Sequence, residues 1–278
     1  MSRAEPSTSL ERTYRYLRIG IAGTVVVIFA SVVIAAADVG WLTSVSDYYY
    51  TSAQNALVGA LIAASLALLA LSGSGVARAL LDAAALFAPL VALVPTTLAP
   101  GTVADVEVPC RFRCFPPEAE ADAANGVLTY LVVGGLVVLV ALLLGALRQT
   151  SFAAVGGSLA VAVVVLTAVA LTWFLAREAF LAQGHFVATI GFFALFAAAA
   201  VLAAFPRRAA APPPVFRVLY SAIALLLIVV LIAYAVLSTV VTGIPTVLVV
   251  EASALTLFFA FWVVQGIEKW READPTVR

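Results

Sequence analysis

The chain has 278 residues, of which 64% are hydrophobic and only 11% charged, with a mean hydropathy of +1.12. A soluble domain carries about a quarter charged residues, so this composition excludes one and reads as an integral membrane protein. Fifteen basic residues balance fifteen acidic ones, so the basic footprint of a nucleic-acid binder is absent too.

In chain order, a polar N-terminal segment (1–18) with Arg12, Arg15 and Arg18 leads into the apolar run Ile19–Ala37. A basic start followed by Ala35-Ala-Ala37 also resembles a signal peptide, but the run exceeds the usual h-region of about 7–15 residues, which favours a retained helix. A short loop, Asp38–Thr51, holds Asp47 and the tyrosines Tyr48, Tyr49 and Tyr50. A second helix is expected over about Asn55–Leu71, where Gly59, Ala63 and Ala67 form a small stripe suited to close helix approach. The third, about Ala79–Leu98, carries Pro89 in its middle, which predicts a kink. Arg78 lies one turn before Asp82 and is its expected partner.

Residues 99–125 form the longest loop, with Cys110 and Cys114. Their spacing and an oxidising compartment favour a small disulfide loop over a metal site, since zinc needs a fuller ligand set. Further helices are expected at about Gly126–Leu147, Phe152–Ala176, Phe186–Phe205 and Val218–Val240. Arg177, Glu178 and the lone His185 fall between the fifth and sixth. The eighth runs from Thr246 to Gly266 and carries one carboxylate, Glu251. A polar tail occupies 268–278.

The expected fold is therefore all-α: a polytopic transmembrane bundle of about eight spanning helices over 19–267. Alternating the spans puts Arg3, Arg12, Arg15, Arg18, Arg78, Arg148, Arg207, Arg208, Arg217, Lys269, Arg271 and Arg278 on one side. Only Arg111, Arg113 and Arg177 fall on the other, so both termini are expected in the cytoplasm of a plasma-membrane protein.

A charge within a span costs several kcal/mol unless it faces protein and a partner. Glu251 is thus the sharpest candidate for a ligand-binding group, with His185, Asp47, Tyr49 and Glu178 expected at the same outer level. The bland alternatives are an aromatic belt for the tyrosines, a solvated pair for Arg177–Glu178, a cap for His185 and snorkelling for Glu251. No phosphate-binding glycine loop, nucleophile elbow or His/Asp/Ser arrangement is legible. No metal or other cofactor is expected. The expected partners are membrane lipids, with a second copy or another membrane protein left open. Replacing Glu251 by leucine is expected to leave the fold intact.

Four segments together resemble a family of prokaryotic polytopic membrane proteins known as a domain of unknown function, and more remotely Frag1/DRAM/Sfk1-type membrane proteins. They are Ser46–Thr51, Ala85–Thr96, Gly184–Phe186 with Phe192 and Phe193, and Glu251 through Gly266. The resemblance implies a six-helix plan to which the helix pair at 126–176 is an addition, and it implies no reaction. Ligand binding at the outer face is the favoured function. A transporter or an intramembrane lipid-modifying enzyme, with Glu251 or His185 as general base, is the alternative.

Overall fold

The computed structural model describes residues 8–71, 75–104, 106–206, 211–240 and 245–270. Eight α-helices run through these residues: α1 Ser9–Val39, α2 Gln54–Ala70, α3 Gly75–Leu93, α4 Glu120–Ala146, α5 Phe152–Leu175, α6 Arg177–Ala204, α7 Pro214–Val240 and α8 Thr246–Glu268. Seven are long and apolar enough to cross a membrane, and α2 is a shorter apolar helix of 17 residues. The protein is an all-α polytopic membrane protein.

Six helices form a closed ring. Neighbours follow the order α1, α2, α3, α6, α7, α8 and back to α1. The hairpin α4–α5 stands outside this ring against α3 and α6, anchored by Val127, Tyr130, Val169, Trp173 and Phe180. Gly126 permits the crossing, since a Cβ there would meet Leu93 Cβ at 3.0 Å. Exposed Val132, Leu136, Val164 and Phe174 cover the hairpin's outer side, as a surface in contact with lipid requires.

Both ends of the bundle are tied by polar contacts. At the arginine end, Arg15 Nε donates to the Trp270 carbonyl (2.5 Å), with its guanidinium 5.0 Å from that ring's centroid. The buried Arg18 donates to the Lys269 carbonyl, and the Tyr220 hydroxyl to Glu268. These arginines satisfy carbonyls beyond the last turn of α8, where positive charge is favoured. At the opposite loop end, a two-stranded antiparallel hairpin pairs β1 Gly101–Val103 with β2 Val106–Val108. Cys110 and Cys114 are joined by a disulfide there, with Cα atoms 6.3 Å apart.

Several local expectations change. The fourth helix begins at Glu120 rather than near Gly126, and the sixth at Arg177 rather than Phe186. Polar and charged residues therefore extend both helices beyond their apolar runs. The small stripe of α2 packs only at Ala67, which lies against the core; Gly59 and Ala63 are exposed, and the buried face is Leu57, Ala60, Ala64, Ser65 and Leu68. Arg78 and Asp82 do pair, at 3.5 Å. Arg3, Arg207, Arg208, Arg271 and Arg278 lie outside the described residues.

Pro89 has an effect its position alone does not reveal. Proline offers no N–H, so the carbonyl one turn earlier, Ala85 O, loses its helical donor. The buried Ser65 hydroxyl on α2 donates to that carbonyl at 2.7 Å, and the Tyr130 hydroxyl on α4 donates to its neighbour Leu86 O at 3.1 Å. Neighbouring helices thereby satisfy backbone groups that lipid could not.

Candidate functional site

The site is organised by a 3-10 turn, Ser46–Tyr50, that folds over the loop end of the ring. The reason is local. The Ser44 N–H donates to the Asp47 carboxylate (3.1 Å), and the Asp47 N–H donates to Ser44 Oγ (2.9 Å), the reciprocal pattern of a capping box. The Thr43 hydroxyl also donates to Asp47, and Arg113 from the long loop lies 3.6 Å from its other oxygen. Tyr48, fully buried, accepts from the Leu42 N–H and donates to the Gly40 carbonyl, joining the turn to the end of α1. The Tyr50 hydroxyl donates to the Thr96 carbonyl at 2.6 Å. Burial raises the Tyr50 phenol above its ordinary value of 10.0, and the nearby Tyr49 and Asp47 add to the shift. Burial likewise raises Tyr49.

So held, the turn presents Ser46 to two buried partners. Its backbone N–H donates to Glu251 Oε2 at 3.1 Å, and its Oγ lies 3.3 Å from Glu251 Oε1. The same Oγ lies 2.9 Å from His185 Nε2. The other imidazole nitrogen, Nδ1, lies 2.7 Å from the Val94 carbonyl. A carbonyl only accepts, so Nδ1 carries hydrogen, and His185 caps the carbonyl left open where α3 ends before Pro95. The Tyr234 hydroxyl on α7 also reaches the Glu251 carboxylate.

This chain of contacts has a definite hydrogen requirement. Ser46 owns one hydroxyl hydrogen, yet its Oγ has one link to His185 and one to Glu251. For both links to be hydrogen bonds, one further proton must sit on His185 Nε2 or on the Glu251 carboxyl. Either placement leaves Glu251, Ser46 and His185 neutral as a set, a condition that suits the buried Glu251 and His185.

No protein family, curated protein or solved structure matches the chain.

Below the triad lies a cavity of about 80 Å³ among α1, α2, α3, α6 and α8. Ile28, Leu57, Leu61, Val91, Phe192 and Leu255 contribute to its apolar wall, and Ser46, Tyr49, His185, Thr189 and Glu251 to its polar edge. A water needs about 10–15 Å³ on such a measure, so there is room for several waters or a stretch of alkyl chain. Towards the arginine end, Phe196, Phe258, Phe261 and Trp262 pack ring against ring and form a floor.

The structure brings together Glu251 and His185, 7% and 6% exposed, and puts Tyr49 on the cavity wall. Asp47 is adjacent but turned away, into the cap of the 3-10 turn and towards Arg113. Glu178 is exposed and away from the cavity lining. Its neighbour Arg177 does not pair with it. That guanidinium lies 4.5 Å from the Trp173 ring centroid and 3.9 Å from Glu120. Sequence reasoning missed Ser46 and Thr189. Thr189 stands one turn after His185 in an apolar helix, and that spacing was the available signal.

Proposed function

We propose that this is a plasma-membrane protein, with both termini in the cytoplasm, that binds the apolar chain of a lipid-like molecule in its outer-end cavity. The orientation is supported by the excess of basic residues that the sequence puts on one side of the spans. The observation that carries the binding reading is the cavity itself: apolar walls, one polar edge at Glu251, Ser46 and His185, and an aromatic floor. Ligand sites have this character, mostly apolar with a few convergent polar groups.

Native mass spectrometry of gently purified protein tests it. A bound mass is expected, and it is expected to disappear in Ala88→Phe and in Val58→Trp, each of which fills the cavity from a different helix. A protein that carries no adduct, even after incubation with a native lipid extract, would sink the reading.

One geometric detail favours the lipid-modifying alternative. The Ser46 hydroxyl lies against His185 Nε2 while Nδ1 is anchored, the arrangement of a serine with its base. Against it, Glu251 already takes the Ser46 N–H, the nearest donor for a developing oxyanion. Covalent labelling of Ser46 by a fluorophosphonate would replace binding with catalysis. Transport needs a polar path through the aromatic floor, and liposome flux abolished by Glu251→Gln would argue for it.

A further inference from the structure

Thr189 is the unexplained polar group of the cavity. Hydroxyls on apolar helices usually turn back to a carbonyl of the preceding turn, as those of Thr24, Ser31, Thr172, Ser253 and Thr256 do here. Thr189 is 6% exposed, lines the cavity, and its Oγ1 has no hydrogen-bond partner among the described residues. A buried hydroxyl left unpaired is costly and calls for a partner.

The remaining polar atoms around the cavity are largely engaged. Ser46 bonds Glu251 and His185, and His185 spends its second nitrogen on Val94. With one shared proton the three are neutral together. The nearest further charge, Asp47, faces Arg113. The described cavity lining therefore holds no unbalanced charge to meet a charged headgroup, while Thr189 offers one donor and two acceptor positions. An ionic group placed here would lose its hydration with no counter-charge to replace it.

We infer that the cavity selects an uncharged amphiphile, a long-chain alcohol or a molecule with a single carbonyl, whose polar group hydrogen-bonds Thr189. This rests on the cavity being a chain-binding site. Tyr49 bounds the mouth: it lines both the cavity and an outer crevice formed with Tyr50, Gln54, Glu118 and Asp122.

The test uses three probes that share one chain: dodecanol, dodecylamine and dodecanoate. Each is titrated at fixed pH into the full-length protein in nanodiscs. Binding is read by native mass spectrometry after release, beside Thr189→Val, which keeps the shape and removes the hydroxyl. The expected result is dodecanol bound at least tenfold more tightly than either ion. Thr189→Val should weaken dodecanol severalfold while still binding the chain. If all three bind equally, or the ionic probes bind best, the headgroup inference is overturned and the chain site stands. If none binds, the chain-site reading itself fails. If dodecanol binds wild type and Thr189→Val equally tightly, the role of Thr189 is overturned.

Discussion

Glu251 has a stabilising role in this geometry that can be measured directly. Its carboxylate receives the Ser46 N–H at 3.1 Å and faces the Ser46 hydroxyl at 3.3 Å, pinning the 3-10 turn onto α8. Glu251→Leu removes both acceptors. The Ser46 hydroxyl keeps His185, but its part-buried N–H and the Tyr234 hydroxyl lose their acceptor, at a cost of about 1–3 kcal/mol. Little is recovered from the added methyl groups, because lipid is as apolar as leucine. Glu251→Gln retains an acceptor for the N–H and is expected to cost about 1 kcal/mol or less. The assay is reversible unfolding by denaturing detergent in bicelles, followed by tryptophan fluorescence, with Ser46→Ala and the double variant completing a cycle. Positive coupling of about 0.5–3 kcal/mol is expected between the two positions. If Glu251→Leu unfolds at or beyond the wild-type midpoint, the pinning argument is wrong. A loss of that size still agrees with the expectation from sequence that the leucine variant folds.

Ser65→Ala is expected to destabilise by about 1 kcal/mol, because it leaves the Ala85 carbonyl bare beside Pro89. The loss should shrink when Pro89→Ala restores the helical donor, and equal losses in both backgrounds in the same unfolding assay would refute the link. Tyr50 predicts an alkaline limit. Its phenol is raised above 10.0 in the fold, so above that pH the unfolded state releases the proton while the folded state keeps it. Stability should be full below about pH 10 and fall as pH rises beyond it. Tyr50→Phe should flatten that fall, and an unchanged slope would show that other groups cause it.

Much of the fold was readable because apolar runs of membrane length have few alternatives to helix. The Arg78–Asp82 pair was readable from its one-turn spacing, Glu251 stood out as costly in an apolar helix, and His185 stood out as the lone histidine beside one. What was illegible has physical causes. Hydropathy falls where a helix enters the polar interface, so the first turns of α4 and α6 read as loop. Small-residue spacing marks a helix face without saying whether it packs, and on α2 only Ala67 of that stripe meets the core. Ser46 sits in a polar loop, where serine is unremarkable. It acquires a role only when α6 and α8 bring His185 and Glu251 to it from 139 and 205 residues away. The backbone partners of Ser65 and His185 belong to other helices and leave no mark in their own segments.

The closed ring sets an order on assembly. The first helix is made long before the last, yet they are neighbours, tied by Arg15 and Arg18 to carbonyls of residues 270 and 269. Until α8 is inserted, α1 has α2 beside it and an open flank of lipid. Sequence-distant contacts form slowly, so docking of α8 is the natural final step. The cavity has no complete wall before that step, because Glu251 and Leu255 arrive with α8. The ring gains its last helix and the wall of its cavity in a single event, so a nascent chain stalled before α8 holds an open seam and no pocket.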